Sequence, residues 1–373
     1  MNQKIFFDNN ATTPLDPRIL PTIISDLSSP PGNPSSVHSF GRQAKQRLNE
    51  ARTSIATYFH ARPEEIVFTS GGTESINLFL RGLAKQGHII TSKLEHSAVY
   101  NTVKSLESEG LQASYLCGNL WGAPKPEQIE AAIRSNTQAI VLSLSNSETG
   151  VKIDLAAISS IAQRHNIPLF LDAVSYLGKE SLLLPPGVCG LALSGHKIYA
   201  PKGIGALYIQ SHIKLKSQLT GGSQEYARRA GTENVMGAKA LAHAFEILQQ
   251  EQLQITQHLF TLRDHFETQL FQHLPDLIIN GEGPRICNTA NIAFLGCDAE
   301  TLLLQLDLAG IAASHGSACS SGAIEPSRVL LNMGIDRKQA RSSIRFSFGR
   351  QNTLQEVDLA LEKLTVLVKR IRF

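Results

Sequence analysis

At its centre the chain reads Pro168-Leu-Phe-Leu-Asp172, a short apolar run that ends in a carboxylate. Other runs of strand length lie between residues 65 and 210, and they are Ile66–Thr69, His88–Thr91, Ala139–Leu144, Gly190–Ser194 and Gly205–Ile209. Several of them are apolar on consecutive residues, which is typical of strands that are covered on both faces. Amphipathic segments separate the runs. The pattern therefore predicts an α/β fold whose mostly parallel sheet is flanked by helices.

The spacing of apolar residues changes in the C-terminal part of the chain. From Leu241 to Leu270 they stand at intervals of three, four or seven, which predicts one long amphipathic helix, or two in tandem, before Pro275. The later predicted elements are strands at Thr289–Phe294 and Ser343–Phe348 and a helix from about Leu354 to Arg370. We therefore expect a large domain over residues 14–255 and a smaller α+β domain made of residues 1–13 and 256–373.

The composition excludes several classes of protein. The 373 residues are 42% hydrophobic and 18% charged, which is enough apolar material for a large buried core. The 35 Lys and Arg residues against 32 Asp and Glu leave a net charge of +3, too weak for us to expect a nucleic acid partner. We find no apolar stretch near the roughly 20 residues that a membrane helix needs, and no signal sequence, so we expect a cytoplasmic protein with no membrane partner.

A glycine turn follows the first predicted strand and reads Ser70-Gly-Gly-Thr-Glu-Ser75, after which apolar residues from Ile76 onward begin a helix. Such a turn presents free amide groups and the positive end of the helix dipole, which suit a phosphate. It lacks the spacing of the known nucleotide-binding loops. The alternative is an ordinary helix start that Thr73 or Ser70 caps.

Two charged residues stand at the ends of neighbouring predicted strands, Asp172 after one and Lys197 after the next. A plain salt bridge between them is one interpretation. Together with a phosphate-binding turn, however, they match the needs of pyridoxal phosphate. A lysine forms its Schiff base, a carboxylate keeps its pyridine nitrogen protonated, and amides and hydroxyls bind its phosphate.

Two further polar residues accompany the predicted strands. His96 follows the strand at His88–Thr91, where an imidazole can stack on a flat ring; the alternative is a structural or surface histidine. Arg345 interrupts the apolar run at Ser343–Phe348, where its guanidinium suits a substrate carboxylate. An internal salt bridge is the other interpretation of Arg345.

The cysteines form an odd set without a Cys-x-x-Cys pair, and they are Cys117, Cys189, Cys287, Cys297 and Cys319. This pattern argues against a disulfide framework and against a zinc site, so we expect no metal. Cys319 lies in the small, polar, glycine-flanked segment 314–322, which is typical of an exposed loop. A reactive thiol needs such access, and the alternative is an inert loop cysteine.

Taken together, these segments resemble the cysteine desulfurases of the NifS/IscS type, which are fold-type I enzymes that use pyridoxal phosphate. The resemblance covers nearly the whole chain. The matching motifs are Phe7-Asp-Asn-Asn-Ala-Thr-Thr-Pro14, Gly32-Asn-Pro-Ser-Ser-Val-His38, Thr69-Ser-Gly-Gly-Thr-Glu-Ser75, Glu95-His96, Ser194-Gly-His-Lys-Ile-Tyr-Ala-Pro-Lys-Gly203, Arg229-Ala-Gly-Thr-Glu-Asn234, Gly316-Ser-Ala-Cys319 and Ile344-Arg-Phe-Ser-Phe-Gly-Arg350.

The resemblance implies a role for each candidate residue. Lys197 would bind the cofactor as a Schiff base and move the proton at the substrate α-carbon, Asp172 would hold the pyridine nitrogen, and His96 would stack on the ring. The phosphate would be bound by Gly72, Thr73, Ser194 and His196, joined by Thr232 from a second subunit, which implies a homodimer. Arg345 would bind the carboxylate of L-cysteine, and Cys319 would attack its sulfur to form a persulfide and release alanine.

Three features depart from the family pattern. Relatives usually carry asparagine at the position of Ser147 and glutamine at that of Ser175. Both amides lie near the phenolic oxygen of the cofactor, so we expect Ser175 to remain in the cofactor site with altered hydrogen bonding there. The chain also stops at Phe373, without the tail by which some relatives dock a cluster scaffold, so sulfur delivery to a scaffold is expected to use another surface.

We therefore expect a homodimeric cysteine desulfurase that supplies sulfur for iron–sulfur clusters or sulfur-containing cofactors through an acceptor or scaffold protein. One alternative is a related lyase or aminotransferase that acts on another amino acid, such as selenocysteine. Another is a non-catalytic partner protein with the same fold, which Ser147 and Ser175 suggest. The retention of Lys197, Asp172 and the other functional residues argues against that second alternative.

Overall fold

The computed structural model of the protein describes residues 4–83, 86–316 and 325–372. Strands alternate with helices through most of these residues. In chain order the strands are β1 (Ile5–Phe6), β2 (Ile66–Thr69), β3 (His88–Ser92), β4 (Gln112–Leu116), β5 (Thr137–Ser143), β6 (Leu169–Asp172), β7 (Val188–Ser194), β8 (Gly205–Ile209), β9 (Leu277–Ile279), β10 (Thr289–Phe294), β11 (Ile311–Ala312) and β12 (Ser343–Ser347).

The helices begin where polar side chains can accept hydrogen bonds from the first free amide groups; Asp154, Asn234 and Asp298 each cap a helix in this way. In chain order the helices are α1 (Leu20–Leu27), α2 (Ser39–Tyr58), α3 (Gly72–Leu83), α4 (Ser97–Glu107), α5 (Pro126–Ala132), α6 (Leu155–Arg164), α7 (Val235–His273), α8 (Ala299–Leu308), α9 (Arg328–Asn332), α10 (Arg337–Arg341) and α11 (Leu354–Ile371). No helix in the described ranges is long and apolar enough to span a bilayer.

The main sheet has seven strands in the order β2-β8-β7-β6-β5-β3-β4. All neighbours are parallel except β8, which runs antiparallel to both β7 and β2. Because β2 and β7 are each antiparallel to β8, they run in the same direction as the other strands. The carboxyl ends of β2, β3, β5, β6 and β7 therefore lie along one edge. The predicted mostly parallel sheet is confirmed.

Both faces of this sheet are covered. Alternate residues of β6 point to opposite sides, so Leu169 and Leu171 join the core cluster that includes α2 and α7, while Phe170 joins the cluster that includes α3 and α4. Phe170 stacks on Phe79 of α3 with ring centroids 4.0 Å apart. Continuous apolar runs are needed here because neither face of the strand meets water.

A second, three-stranded antiparallel sheet has the order β12-β10-β9. The N-terminal segment joins it to the rest of the molecule: β1 pairs in parallel with β11, and the backbone N–H of Asn10 donates to the Ser347 hydroxyl at 2.9 Å. Residues just after β1 are thereby held against the end of β12. This contact brings the two ends of the sequence together.

The helix α7 is a continuous helix of 39 residues, about 58 Å long, so the first of the two predicted arrangements is the correct one. It packs on α1, α2 and α11. Residue 255, where we predicted a domain boundary, lies within this helix. The division into a domain of residues 14–255 and another of 1–13 and 256–373 stays a prediction.

Candidate active site

A cavity of about 230 Å³ opens at the edge of the main sheet where the carboxyl ends of the strands meet. Strand ends of this kind are where doubly wound folds bind ligands. Nine of the residues predicted from the sequence line it, and they are Gly72, Thr73, His96, Asp172, Ser175, Ser194, His196, Lys197 and Arg345. The fold therefore brings together groups that are up to 273 positions apart in the chain.

Asp172 is the last residue of β6 and is buried, with 5% of its surface exposed. One carboxylate oxygen accepts the Val174 N–H at 3.0 Å. Burial raises the pKa of Asp172, and the charges of His96 and Lys197 partly oppose that rise. A buried acid with so little hydrogen bonding favours a cationic partner, and the cavity is where such a partner would bind.

Lys197 closes the short 3-10 turn Gly195–Lys197 that follows β7 directly. Its Nζ donates to the backbone carbonyl of Ala11 at 2.9 Å and to that of Asn10. Both carbonyls belong to the segment after β1, which forms one wall of the cavity. The amine is thus held at the cavity by two different parts of the fold.

The phosphate-binding turn predicted from the sequence lies at the start of α3. The first amide groups of a helix have no acceptor within the helix, and the first two residues of α3, Gly72 and Thr73, line the cavity. A side chain at position 72 does not fit, because its Cβ would lie 2.5 Å from Cγ2 of Val174. Only glycine lets the backbone come this close to the cavity wall.

Ser194 and His196 flank that helix start from the end of β7. The His196 ring is neutral, since burial and the neighbouring charges of Lys197, Lys202 and Lys179 lower its pKa to about 4. Its Nδ1 lies 3.1 Å from the Thr12 hydroxyl. His196 can therefore offer a hydrogen bond to an anion in the cavity, but no charge.

His96 caps α4, where its Nδ1 accepts the Ala98 N–H at 3.1 Å. This hydrogen bond fixes the orientation of the ring at the start of the helix. The ring lines the cavity, and its stacking on a flat ligand stays a prediction.

Arg345 forms the internal salt bridge that was one of its two interpretations, and its role towards a substrate carboxylate stays a prediction. It is 3% exposed, its Nη2 pairs with Asp8 at 2.7 Å, and its Nη1 donates to the Ser147 carbonyl at 3.0 Å. Its buried Nε has no hydrogen-bond partner among the described residues. The guanidinium is thus part of an internal ion pair at the cavity, and one of its N–H groups is unused within the described residues.

Two predicted site residues are not brought to the cavity within the described chain. Thr232 is exposed and does not line it. Cys319 lies outside the described residues; Gly316, three positions before it in the sequence, does line the cavity. Within the described ranges no group of three or more His, Cys, Asp or Glu side chains could hold a metal ion.

Other cavity residues were not among the predicted ones. Asn10 and Ala11 belong to a quoted motif, but no chemical feature assigned them to the site. Ser143 is the last residue of β5, and Ser145 follows two positions later. Because both are small residues in or next to an apolar run, the sequence pattern indicated only a strand there. The rule that ligands bind at strand ends was the signal that could have identified these serines.

Known proteins resemble this chain in sequence and in structure. Residues 5–360 match the family model described as "Aminotransferase class-V". The chain therefore belongs to the class-V aminotransferase family. Its relatives there include a cysteine desulfurase of Nostoc sp., 40% identical over 99% of this chain and 94% of that protein, and the cysteine desulfurase IscS of Dictyoglomus turgidum, 38% identical over 100% and 96%. A solved NifS-like protein matches with a TM-score of 0.92 and 31% identity, covering 99% of this chain and 100% of that one.

Proposed function

We propose that this protein is a cysteine desulfurase that uses pyridoxal phosphate to convert L-cysteine to L-alanine. The sulfur passes to Cys319 as a persulfide and then to an acceptor protein for the assembly of iron–sulfur clusters or sulfur-containing cofactors. The observation that carries this proposal is the meeting of Lys197, Asp172 and Arg345 in one cavity, in a chain 40% identical to a curated cysteine desulfurase.

The residues of the cavity fit pyridoxal phosphate. The cofactor has an aldehyde, a basic ring nitrogen and a phosphate, and the cavity offers an amine at Lys197, a buried acid at Asp172 and a helix start at Gly72. The absence of space for a Cβ at Gly72 supports a close approach of the phosphate to the backbone. Ser194, His196 and Thr73 add polar groups around the same point.

When bound, pyridoxal phosphate supplies an electron sink that stabilises negative charge at the substrate α-carbon. Lys197 holds the cofactor and moves the α-proton, Asp172 keeps positive charge on the pyridine nitrogen, and Arg345 binds the substrate carboxylate. The Cys319 thiolate attacks the substrate sulfur, so that a sulfur–sulfur bond forms as the carbon–sulfur bond breaks. The electron pair of the broken bond stays with the substrate carbon, which takes up a proton to give alanine.

A second copy of the chain completes the site in this proposal. The segment 229–234 is anchored near the helix start by Arg229, whose Nε donates to Glu74 of α3 at 2.8 Å. Thr232, three positions further on, is exposed and free to contribute to a partner's phosphate site in a homodimer. Light scattering of the purified protein measures the oligomeric state, and a monomer would contradict this part of the proposal.

The two alternatives are not favoured. The named relatives are cysteine desulfurases, which supports cysteine rather than another amino acid as substrate. The cavity keeps Lys197, Asp172 and Arg345 together, an arrangement that a non-catalytic partner protein does not need. The cytoplasmic location and the use of a sulfur-acceptor or scaffold protein stay predictions.

The experiment that tests the function is an assay of alanine and sulfide formed from L-cysteine in the presence of a reductant. We expect turnover by the wild-type protein and none by Lys197→Ala, which also loses the visible absorption of the bound cofactor. Lys369→Ala removes an exposed lysine of α11 and is the matched control, with unchanged turnover. Alanine formation by Lys197→Ala at the wild-type rate would contradict the assignment.

A further inference from the structure

Glu95 is a buried carboxylate beside the candidate active site that has no part in the proposed reaction. Only 3% of the residue is exposed. One carboxylate oxygen accepts the Ser92 hydroxyl at 2.6 Å, and the other accepts the N–H of Ser143 at 2.6 Å and its hydroxyl at 2.5 Å. These short hydrogen bonds hold the carboxylate in one orientation against the end of β5.

Through Ser143 the carboxylate of Glu95 is linked to Asp172. Ser143 is in register with Asp172 across β5 and β6, and the N–H of the next residue, Leu144, donates to the Asp172 carbonyl at 2.9 Å. Ser143 also lines the cavity. Burial raises the pKa of Glu95 to about 7, and the nearby charge of Asp172 contributes to this rise. The two acids are therefore close enough to interact electrostatically.

The other charged and titratable groups around Glu95 do not neutralise it. His96 follows it at the start of α4, and Arg328 of α9 donates to the Glu95 backbone carbonyl rather than to the carboxylate. Lys197 lines the cavity, and its charge lowers the pKa of Asp172 there. Within the described part of the chain, the Glu95 carboxylate is bound by hydroxyl and amide groups and by no cation.

We propose that Glu95 is a positioning residue for the cofactor, which fixes the end of β5 through Ser143 and adds a second acidic group to Asp172 at the side of the cavity where the pyridine nitrogen binds. The inference rests on the proposed function, since it assigns a group to the same cofactor site. A negative charge near a cation stabilises it, so ionised Glu95 favours the protonated form of the bound cofactor. The protonation of the cofactor thereby depends on a residue that does not touch it.

The test is a pH titration of the visible absorption of the purified protein loaded with pyridoxal phosphate. Glu95→Gln keeps the shape of the side chain and an acceptor for the Ser143 N–H but removes the charge. We expect the midpoint for loss of the protonated, yellow form to move to lower pH by about 0.5 to 1 unit. Glu95→Asp keeps the charge, so its midpoint stays closer to that of the wild type.

A second variant keeps the proposal testable if Glu95→Gln fails to fold. Ser92→Ala removes one hydrogen bond that favours ionised Glu95, so we expect a smaller shift in the same direction. Glu362→Gln, at an exposed position of α11, is the matched control and leaves the midpoint unchanged.

The two proposals fail in different ways. If the wild-type protein binds pyridoxal phosphate and forms alanine, but Glu95→Gln and Ser92→Ala both keep the wild-type midpoint, the role of Glu95 is overturned and the function stands. If the wild-type protein binds no pyridoxal phosphate, both are overturned.

Discussion

Four serines that are absent from the predicted phosphate site line the cavity, and they are Ser143, Ser145, Ser147 and Ser175. Ser147 and Ser175 stand where the NifS/IscS resemblance implies longer amides. The Ser145 hydroxyl is buried and has no hydrogen-bond partner among the described residues. A serine is shorter than an asparagine or glutamine, so Ser147 and Ser175 reach less far than those amides would, and the Ser145 hydroxyl is unused.

Replacing Ser147 and Ser175 with the amides of the family pattern tests how these two positions affect the protonation of the proposed cofactor. In the double variant Ser147→Asn and Ser175→Gln, new donors reach the phenolic oxygen of the proposed cofactor and stabilise its negative charge. We expect the pH midpoint of the visible absorption band to fall by about 0.7 unit, the equivalent of one hydrogen bond of about 1 kcal/mol. The measurement is a spectroscopic titration of both proteins. An unchanged midpoint would mean that other groups already supply these bonds.

Lys179 is a buried amine close to the same site. It is 4% exposed, and its Nζ has no hydrogen-bond partner among the described residues. Burial lowers the pKa of Lys179 to about 7, and the charges of Lys197 and Arg350 add to this effect. Between pH 7 and the ordinary value of 10.5, the unfolded chain therefore binds a proton at this position that the folded chain does not.

Buried Lys179 therefore costs no stability above pH 10.5, and the cost grows as the pH falls from 10.5 to about 7, below which it is complete. We expect Lys179→Met to be more stable than the wild type at pH 7 by about 1 kcal/mol or more, because the variant no longer has to bury an amine. The gain should shrink towards pH 10. Urea unfolding at both pH values measures it, with exposed Lys369→Met as the control. A variant less stable than the wild type at pH 7 would contradict the prediction.

At the scale of elements, burial decided what the sequence could predict. The continuous apolar runs of β2, β6 and β7 were predicted because both of their faces are covered. The strand β4 was missed, since it lies at the edge of the sheet, is half-buried, and reads Gln112-Ala-Ser-Tyr-Leu116 with little apolar content. The two-residue strands β1 and β11 are too short for any periodicity to detect.

The candidate site was predictable to the extent that its residues follow strands. Asp172 and Lys197 were found in this way. Asn10 and Ala11 were not, because only the packing of the N-terminal segment against distant strands brings their carbonyls to Lys197. Nor could Glu95 be assigned a role, since its burial and its bonds to Ser143 depend on how β3 and β5 pair.

A buried ion pair joins α2 to the turn after β8. Arg52 donates to both carboxylate oxygens of Glu225 at 2.6 and 2.7 Å, and the two side chains are 4% and 1% exposed. Glu225 also accepts the Phe68 N–H of β2 at 2.8 Å. It begins a run with Tyr226 and Ala227 in which φ is positive at 47°, 56° and 59°. The ion pair thus holds a strained turn that leads to Thr232.

We expect Arg52→Met to lower the free energy of unfolding by about 3 to 5 kcal/mol, because it leaves the Glu225 carboxylate buried without its cation. Adding Glu225→Gln should recover part of the loss, since the amide carries no charge and still accepts from Phe68. Denaturant unfolding measures both. Arg164→Met, which breaks an exposed pair with Glu130, is the control and changes stability by about 1 kcal/mol or less. Equal losses in the single and double variants would contradict the argument.

Across the whole molecule, the described cysteines are poor sulfur acceptors. Cys189, Cys287 and Cys297 are buried, and burial raises the pKa of Cys189 and of Cys287 to about 12 and also raises that of Cys297. A thiol with a raised pKa has almost no reactive thiolate at neutral pH. Cys117 is half-buried and does not line the cavity.

We therefore expect mass spectrometry after treatment with L-cysteine to find the added sulfur on the peptide that contains Cys319. Cys319→Ser should still bind pyridoxal phosphate but carry no added sulfur, because a hydroxyl is a far weaker nucleophile than a thiolate. Sulfur found on Cys117, Cys189, Cys287 or Cys297, with none on Cys319, would place the transfer at another residue.

The residues that line the cavity come from segments far apart in the sequence, and this sets when the cavity can exist during synthesis. Asn10 and Ala11 line the cavity from the N-terminal segment, and Arg345 of β12 lines it from the C-terminal part of the chain. At about 5 to 20 residues per second, a ribosome needs roughly 20 to 70 s to reach residue 345. Until then the nascent chain lacks β12, against which the N-terminal segment packs. The complete cavity therefore forms only after β12 has been synthesised, and a ligand that needs both parts of the cavity is captured after that point.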